Sequence, residues 1–389
     1  MKFIFLTIIF LILEEKAYCK NDFIKIKENF NNDIWSMKKE IQMNYKVDTF
    51  SISVFNKSFN EEITNFFYGK NFNNEFIDQD TLFPVASISK IYTADIIDKL
   101  VYKNSIHLND KISKWVKIRS DLENKTVFQL LNNNSLIPNY SNNPLLWSER
   151  RKNFSKIFSF NELIGFIKYM EITKNNWQYS NTNYLLLGEI IEIEMKNNLK
   201  SVFKNYFNEN NMKNSFFEKE KSINNLMFGN EKNEKFSNIN VSWLSSAGAV
   251  FSTPQEVVIS SVKIVNELIQ NNKKWVNTKT GKITLNIEET AYLNGVFRMN
   301  SPFGIIYFTP GLIPGFTSGF IYSPCLETAI AYSANRSELH KFHAFIIRKI
   351  FKNLYHDKTY NLLISKKSKN SNFCEKVAPS EEINFANME

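Results

Sequence analysis

The residues with the clearest chemical potential are a serine and a lysine three positions apart, Ser87 and Lys90. On one helix this spacing puts both side chains on the same face, within hydrogen-bond reach. At a helix start, the serine also lies among backbone N–H groups that lack an intrahelical partner. The lysine can stabilise an alkoxide, or take the serine proton if burial lowers its pKa. The pair therefore predicts a nucleophilic serine.

The Ser-x-x-Lys spacing is not unique, and its alternative interpretation is an N-cap serine with a solvated lysine. Only at Ser87 does the spacing open an apolar helix behind an apolar, proline-containing approach, residues 83–86. The same spacing recurs at Ser36, Ser201 and Ser260.

A second motif, Tyr-x-Asn, is formed by Tyr179 and Asn181. A tyrosine can act as general base or acid if a nearby cation lowers its pKa, and Lys90 would supply that cation. The alternative is a core tyrosine whose hydroxyl is satisfied by a hydrogen bond. The same spacing recurs at Tyr102, Tyr140 and Tyr206.

Other common motifs are absent: the chain has no G-x-G-x-x-G and no P-loop. His340 and His343 could face one way on a helix, but no third ligand is evident, so we expect surface histidines and no metal site. A Ser-His-Asp triad has no support in the sequence.

The surrounding segments resemble one family. FPVASISKIYTA, residues 83–94, resembles the nucleophile segment of the serine β-lactamase and penicillin-binding protein superfamily, in the branch of class C β-lactamases, DD-peptidases and related esterases. WQYSNTNYLLLGEIIE, residues 177–192, resembles its second-motif segment. Ordered matches run from about residue 50 to 336, and include TVFQLLNNNSLIPNY, SSAGAVFSTPQEVV and IPGFTSGFIYSP.

The resemblance implies a role for each residue. Ser87 would be the nucleophile, Lys90 and Tyr179 would move the proton, and Asn181 would hydrogen-bond the acyl amide of the substrate. The backbone N–H groups of Ser87 and Leu312 would form the oxyanion hole. No metal or organic cofactor is implied.

The third motif is where this chain departs from the family. Where the family has His-x-Gly or Lys-Thr-Gly, this sequence has Thr309-Pro310-Gly311. Gly311 fits, because substrate approaches the backbone closely there. Thr309 carries no charge, so we expect weaker recognition of a terminal carboxylate unless another cation substitutes.

Composition limits the possible classes. The chain has 389 residues, of which 43% are hydrophobic, enough to form a core and to exclude a wholly disordered protein. Lys+Arg 48 minus Asp+Glu 39 gives a net charge of +9. The basic residues are spread along the chain, whereas a nucleic-acid interface needs them clustered, so we expect no nucleic-acid partner.

The hydrophobic pattern predicts an α/β (α+β) fold: an antiparallel sheet flanked by helices, built from both chain ends, with an all-helical insert at about 106–237. The supporting elements are helices at 24–46, 87–102 and around Phe342–Ile350, and strands at 49–55, 62–70, 317–323 and 328–334.

The N-terminus sets the expected compartment. An eleven-residue apolar run, Phe3–Leu13, follows Lys2; it is too short to span a bilayer and is typical of a signal peptide, residues 1–19. An uncleaved anchor and a lipoprotein cysteine, Cys19, are the alternatives. We expect no transmembrane helix after processing, and a secreted or periplasmic protein.

The remaining boundaries are a domain at 22–364 and a polar, poorly ordered tail at 365–389. Cys325 and Cys374 could form one disulfide.

The functional expectation is a serine hydrolase acting on amide or ester bonds through an acyl-enzyme, DD-peptidase- or esterase-like. Its substrates would be small molecules or peptidoglycan-derived peptides; the sequence leaves the oligomeric state open. The alternatives are a true β-lactamase and a penicillin-binding-like envelope protein with impaired catalysis.

Overall fold

The computed structural model describes most of the chain: residues 28–29, 31–57, 63–218, 225–231, 234–236, 240–281, 283–284, 290–301, 304–337 and 341–356. The predicted signal peptide and tail lie outside these residues. Cys325 is disulfide-bonded, and its predicted partner, Cys374, also lies outside them.

The described strands are, in chain order, β1 Phe50–Asn56, β2 Ile63–Tyr68, β3 Phe83–Pro84, β4 Phe216–Phe217, β5 Gly229–Glu231, β6 Glu234–Phe236, β7 Val250–Ser252, β8 Trp275–Asn277, β9 Ile283–Thr284, β10 Ala291–Leu293, β11 Val296–Ser301, β12 Gly304–Ile313, β13 Phe316–Ser323 and β14 Thr328–Ala334. The described helices are α1 (31–45), α2 Ser89–Tyr102, α3 Val127–Leu131, α4 Pro144–Lys152, α5 Phe160–Gly165, α6 Asn181–Met195, α7 Leu199–Glu209, α8 Pro254–Gln270 and α9 Phe342–His356.

The main sheet is antiparallel and joins the two ends of the described chain. Its strand order is β2-β1-β14-β13-β12-β11-β10-β8-β9. Strand β1 pairs with β14 along its whole length, with Phe50 opposite Ala334 and Asn56 opposite Thr328. The predicted fold class, an antiparallel sheet flanked by helices and built from both ends, is confirmed.

Helices cover both faces of this sheet. Along β14, Ala329 and Ala331 face the larger core, shared with α2, α6 and α8, while Ile330 and Tyr332 face the smaller one. This alternation is the period of a strand buried on both faces. The smaller core is completed by apolar residues of α1 and α9: Ile34, Met37, Ile41, Phe342, Ile346 and Ile350.

The stretch predicted as an insert, 106–237, holds helices α3 to α7. It also contains β4 and the β5–β6 hairpin, which the sequence did not predict because strands of two or three residues carry no readable alternation. β4 joins β7 and β3 in a small sheet behind the start of α2. Among the described residues, no helix is both long and apolar enough to cross a bilayer.

Candidate active site

Ser87 lies in a tight 3-10 turn, Ala86–Ile88, directly before α2. The helix therefore begins at Ser89, two residues later than the sequence predicted. Ala86 has a φ of 50°, in the left-handed region that non-glycine residues rarely adopt. Such strain persists only where the surroundings impose it, and Val85 N is fixed to Val250 O at 2.9 Å. The turn thus holds Ser87 at a defined point.

Lys90 is fully buried in the first turn of α2 and touches Ser87. Its Nζ lies 3.1 Å from Ser87 Oγ, 2.8 Å from Asn181 Oδ1 and 2.7 Å from Ala247 O. Burial lowers the pKa of Lys90 well below its usual 10.5, because desolvation penalises the ammonium form. A neutral amine here can accept the proton of Ser87.

Tyr179 completes this side of the site. Its ring centroid lies 5.0 Å from Lys90 Nζ. Burial raises the pKa of the Tyr179 hydroxyl above its usual 10.0, and its interaction with the Ser87 hydroxyl offsets only part of that rise. The sequence predicted that Lys90 would lower the pKa of Tyr179; instead, desolvation outweighs every opposing effect. The Tyr179 hydroxyl therefore stays protonated at neutral pH.

An aromatic cluster that the sequence did not predict holds the Tyr179 ring. Phe297 stacks on it at 6.2 Å between centroids, and Tyr292 meets it edge-on at 6.1 Å. Trp177 lies 6.5 Å away and donates its indole N–H to Asn132 O at 2.9 Å. Since Tyr292 and Phe297 lie far along the chain from Tyr179, only the tertiary structure brings these two rings to it.

Asn181 is the first residue of α6, and both ends of its side-chain amide are engaged. Its Oδ1 accepts from Lys90, and its Nδ2 donates to Ser141 Oγ at 3.0 Å. Its backbone N–H donates to Asn139 Oδ1 at 3.1 Å. In the sequence, Tyr140-Ser141-Asn142 stands out only as a repeat of the Tyr-x-Asn spacing. The sequence did not predict that Ser141 is the hydrogen-bond partner of Asn181.

Strand β12 forms the opposite wall, with Gly311 against the Ser87 turn. A Cβ at Gly311 would lie 2.5 Å from Val85 O and 3.3 Å from Ala86 Cβ, so only glycine permits this approach. The neighbouring Ser318 donates its hydroxyl to Val85 O at 2.8 Å. These contacts fix the distance between β12 and the nucleophile.

The Leu312 N–H is oriented away from β13. β12 and β13 are joined by a two-residue turn, in which Ile313 and Phe316 form the closing hydrogen-bonded pair. Hydrogen-bonded and non-hydrogen-bonded positions alternate along an antiparallel ladder. The backbone N–H of Leu312, one residue before Ile313, therefore points away from β13. The pairing of β11 with β12 ends at Phe308, and no other described strand pairs with that edge of β12. The Leu312 N–H is therefore not used in the pairing of β12 with β13 or with β11.

Thr309 is buried and does not present its hydroxyl proton to the cleft. Its Oγ donates to Gly295 O at 2.8 Å. Gly295, at φ 86°, lies in the β10–β11 turn, where an added Cβ would come within 2.8 Å of Ile91 N. The Thr309 hydroxyl therefore stabilises the β10–β11 turn, which packs against the start of α2.

The sequence predicted that His340 and His343 lie at the surface. His343, on α9, is hydrogen-bonded to the Tyr332 hydroxyl rather than free at the surface, and His340 lies outside the described residues. Within the described ranges, no group of three or more His, Cys, Asp or Glu residues could hold a metal ion. The arrangement of Ser87, Lys90, Tyr179 and Asn181 is suited to acyl transfer by a serine nucleophile.

The fold and this constellation define a class, the serine hydrolases of the beta-lactamase fold. The chain belongs to the beta-lactamase family, whose model matches residues 67–354. The resemblance read from the motifs is therefore confirmed. No curated protein sequence matches the chain.

Solved structures share the fold at low sequence identity. The D-amino acid amidase of Ochrobactrum anthropi SV3, complexed with D-phenylalanine, is 19% identical, with a TM-score of 0.69 over 85% of this chain and 100% of that one. A class C beta-lactamase is 15% identical, with a TM-score of 0.68 over 87% and 98%. The octameric penicillin-binding protein homologue of Pyrococcus abyssi is 20% identical, with a TM-score of 0.65 over 82% and 78%.

Proposed function

We propose that this protein hydrolyses amide or ester bonds through an acyl-enzyme on Ser87. The observation that carries the proposal is the state of Lys90. It is fully buried, its pKa is depressed by desolvation, and its Nζ lies 3.1 Å from Ser87 Oγ. A lysine with a purely structural role does not require burial, a lowered pKa and contact with a serine hydroxyl together. A general base requires all three, because it must be neutral and within reach of the proton that it takes.

In the proposed reaction, neutral Lys90 takes the Ser87 proton as Oγ bonds to the substrate carbonyl carbon. The backbone N–H groups of Ser87 and Leu312 bind the resulting oxyanion. Tyr179, kept protonated by burial, donates a proton to the departing nitrogen or oxygen and is reprotonated by Lys90. Water then attacks the acyl carbonyl and gives one proton to Lys90, and the collapse of this second intermediate transfers that proton to Ser87 Oγ and releases the acid.

The substrate class follows from the two sides of the cleft. Asn181 would hold the acyl amide through the second N–H of its Nδ2. On the leaving-group side, Thr309 is uncharged, and its hydroxyl already donates a hydrogen bond to the Gly295 carbonyl oxygen. The proposed substrates are therefore small amides or esters, or peptidoglycan-derived peptides, with a neutral leaving group. The similarity to a D-amino acid amidase is consistent with this choice.

We also propose a cellular location and a second candidate activity. The predicted signal peptide supports a secreted or periplasmic location. β-Lactam hydrolysis is the second candidate activity, favoured by the likeness to a class C beta-lactamase. It ranks below the first, because penicillins carry a carboxylate for which Thr309 provides no cation.

The proposal is tested with a thioester and an amide that share one acyl group. An acyl-enzyme predicts a stoichiometric burst of the thioester leaving group, followed by a steady rate set by deacylation. Ser87→Ala should lose at least about a thousandfold in kcat/KM. Ser201→Ala, which alters another serine with the Ser-x-x-Lys spacing, is the control. A Ser87→Ala variant that retains activity within tenfold refutes the proposal.

A further inference from the structure

Arg150, on α4, is a half-buried cation stacked on two indole rings. Its guanidinium carbon lies 4.4 Å from the Trp243 ring centroid and 5.1 Å from that of Trp147. Burial lowers the pKa of Arg150 to about 10, so the group is still charged at neutral pH. Among the ion pairs of the described residues, none involves Arg150. The charge is thus partly desolvated and forms no ion pair with these residues.

Both indoles are connected to the Ser87 site. Trp147 donates its indole N–H to Ser141 O at 2.8 Å, and Ser141 Oγ is the acceptor of Asn181 Nδ2. Trp243 belongs to the 3-10 segment Ser242–Ala247. The carbonyl oxygen of the last residue of this segment accepts a hydrogen bond from Lys90 Nζ. Arg150 is therefore linked through Trp147 and Ser141 to Asn181, on the side of the site that would hold the acyl group.

The second wall of the cleft also comes close to Arg150. Glu231, at the end of β5, acts electrostatically on the guanidinium without forming an ion pair. The preceding residue, Asn230, donates its backbone N–H to Gly315 O at 3.2 Å, in the turn that follows Leu312. Arg150 thus has Asn181 and its helix on one side, and on the other side the β5–β6 hairpin, which contacts the turn after β12.

We propose that Arg150, held between Trp147 and Trp243, is a binding subsite for an anionic group on the acyl part of the substrate. This inference rests on the proposed function and extends it. A guanidinium binds a carboxylate through two parallel hydrogen bonds, and aromatic stacking fixes the plane in which those donors point. A partly desolvated charge that forms no ion pair has more to gain from such a ligand than a hydrated surface arginine. The preferred acyl group carries a carboxylate beyond its amide.

The test compares two thiobenzyl esters, of N-succinylglycine and of N-succinamoylglycine. They share the leaving group and the shape of the acyl part, and differ in one terminal carboxylate or carboxamide. The unmodified protein should favour the succinyl ester by at least about tenfold in kcat/KM, the lower end of a charge-assisted pair. Arg150→Gln should reduce that ratio to about one. Arg151→Gln removes an equal charge from the exposed next residue of α4 and should keep the ratio.

A binding measurement separates this inference from the proposed function. The free acids N-succinylglycine and N-succinamoylglycine are titrated by calorimetry, which needs no turnover. If neither ester is hydrolysed, the proposed function fails, and the subsite stands if the succinyl acid binds at least about tenfold more tightly and Arg150→Gln removes the difference. Equal or unmeasurable binding of both acids overturns it. A preference that survives Arg150→Gln also overturns it.

Discussion

At the level of single residues, the account depends on Lys90 being buried without a carboxylate partner. A buried lysine that faces an acid would remain charged and could not take a proton. Here its three polar neighbours, Ser87 Oγ, Asn181 Oδ1 and Ala247 O, are all uncharged. The spacing of Ser87 and Lys90 predicted their contact. It could not predict the carbonyl of Ala247, which lies 157 residues away in the chain.

The state of Lys90 predicts the pH dependence of the reaction. Because the neutral amine is the active form, kcat/KM should rise with pH through an apparent pKa well below 10.5 and then level off. No descending limb should appear below about pH 10, because the pKa of Tyr179 is raised and its hydroxyl stays protonated. The measurement is kcat/KM for a non-ionising ester. A rise delayed to the ordinary lysine range, or a fall on the alkaline side of neutrality, contradicts the assignment of Lys90 as base.

Thr309 predicts the preference for the leaving group. A bound carboxylate needs a charge-assisted partner, and one such bond contributes roughly 10–150-fold in binding. Because Thr309 has no charge and its hydroxyl bonds Gly295, a neutral leaving group should be preferred over a matched one with a carboxylate. Thr309→Lys should shift kcat/KM toward the carboxylate member. If the carboxylate member is favoured tenfold in the unmodified protein, another cation serves that end of the site.

At the level of elements, long and periodic segments were predictable and short irregular ones were not. The sequence located β1, β2 and the β13–β14 pair, since each shows alternation or a continuous apolar run between turn residues. It did not reveal the turn that places Ser87 ahead of α2. That geometry depends on Val85 and Ala86 being held by β7 and β12, contacts between segments far apart in the chain. Arg150 was missed for the same reason.

The approach of β12 to the nucleophile predicts a specific effect of Gly311→Ala. The added Cβ would lie 2.5 Å from Val85 O, so β12 must move away from Ser87. A displacement of this kind costs roughly 100-fold in kcat/KM. Gly165→Ala is the control, because an added Cβ there meets nothing within 4 Å. Its activity should be unchanged, and its stability unchanged or raised by up to about 1 kcal/mol. Full activity in Gly311→Ala would show that the approach is not needed.

At the level of the whole molecule, the main sheet is built by strands from opposite ends of the described chain. β1 lies between β2 and β14, and α1 packs with α9 beneath them. Tyr45 and Phe342 have ring centroids 5.1 Å apart, and Lys349 Nζ lies 2.6 Å from Glu40 Oε1. The order of elements predicted this closure, whereas the pairing register could be known only from the structure.

The closure predicts that α9 stabilises the whole domain. Ile346 is completely buried between α9 and the sheet, so Ile346→Ala should cost about 2–5 kcal/mol of the free energy of unfolding. Arg348→Ala, on the exposed side of the same helix, should change stability by no more than about 0.5 kcal/mol. Denaturant unfolding of both variants checks this. Equal stability of the two variants would mean that α9 does not contribute to the shared core.

The central claim, that Ser87 is the nucleophile, is tested most directly by locating a covalent adduct. The protein is incubated with a fluorophosphonate, which labels serines activated by a neighbouring base, and the modified peptide is mapped by mass spectrometry. The account predicts one adduct, on Ser87, that is absent from Ser87→Ala and greatly slowed in Lys90→Ala. Labelling that survives in Ser87→Ala, or that maps to Ser36, Ser201 or Ser260, would contradict it.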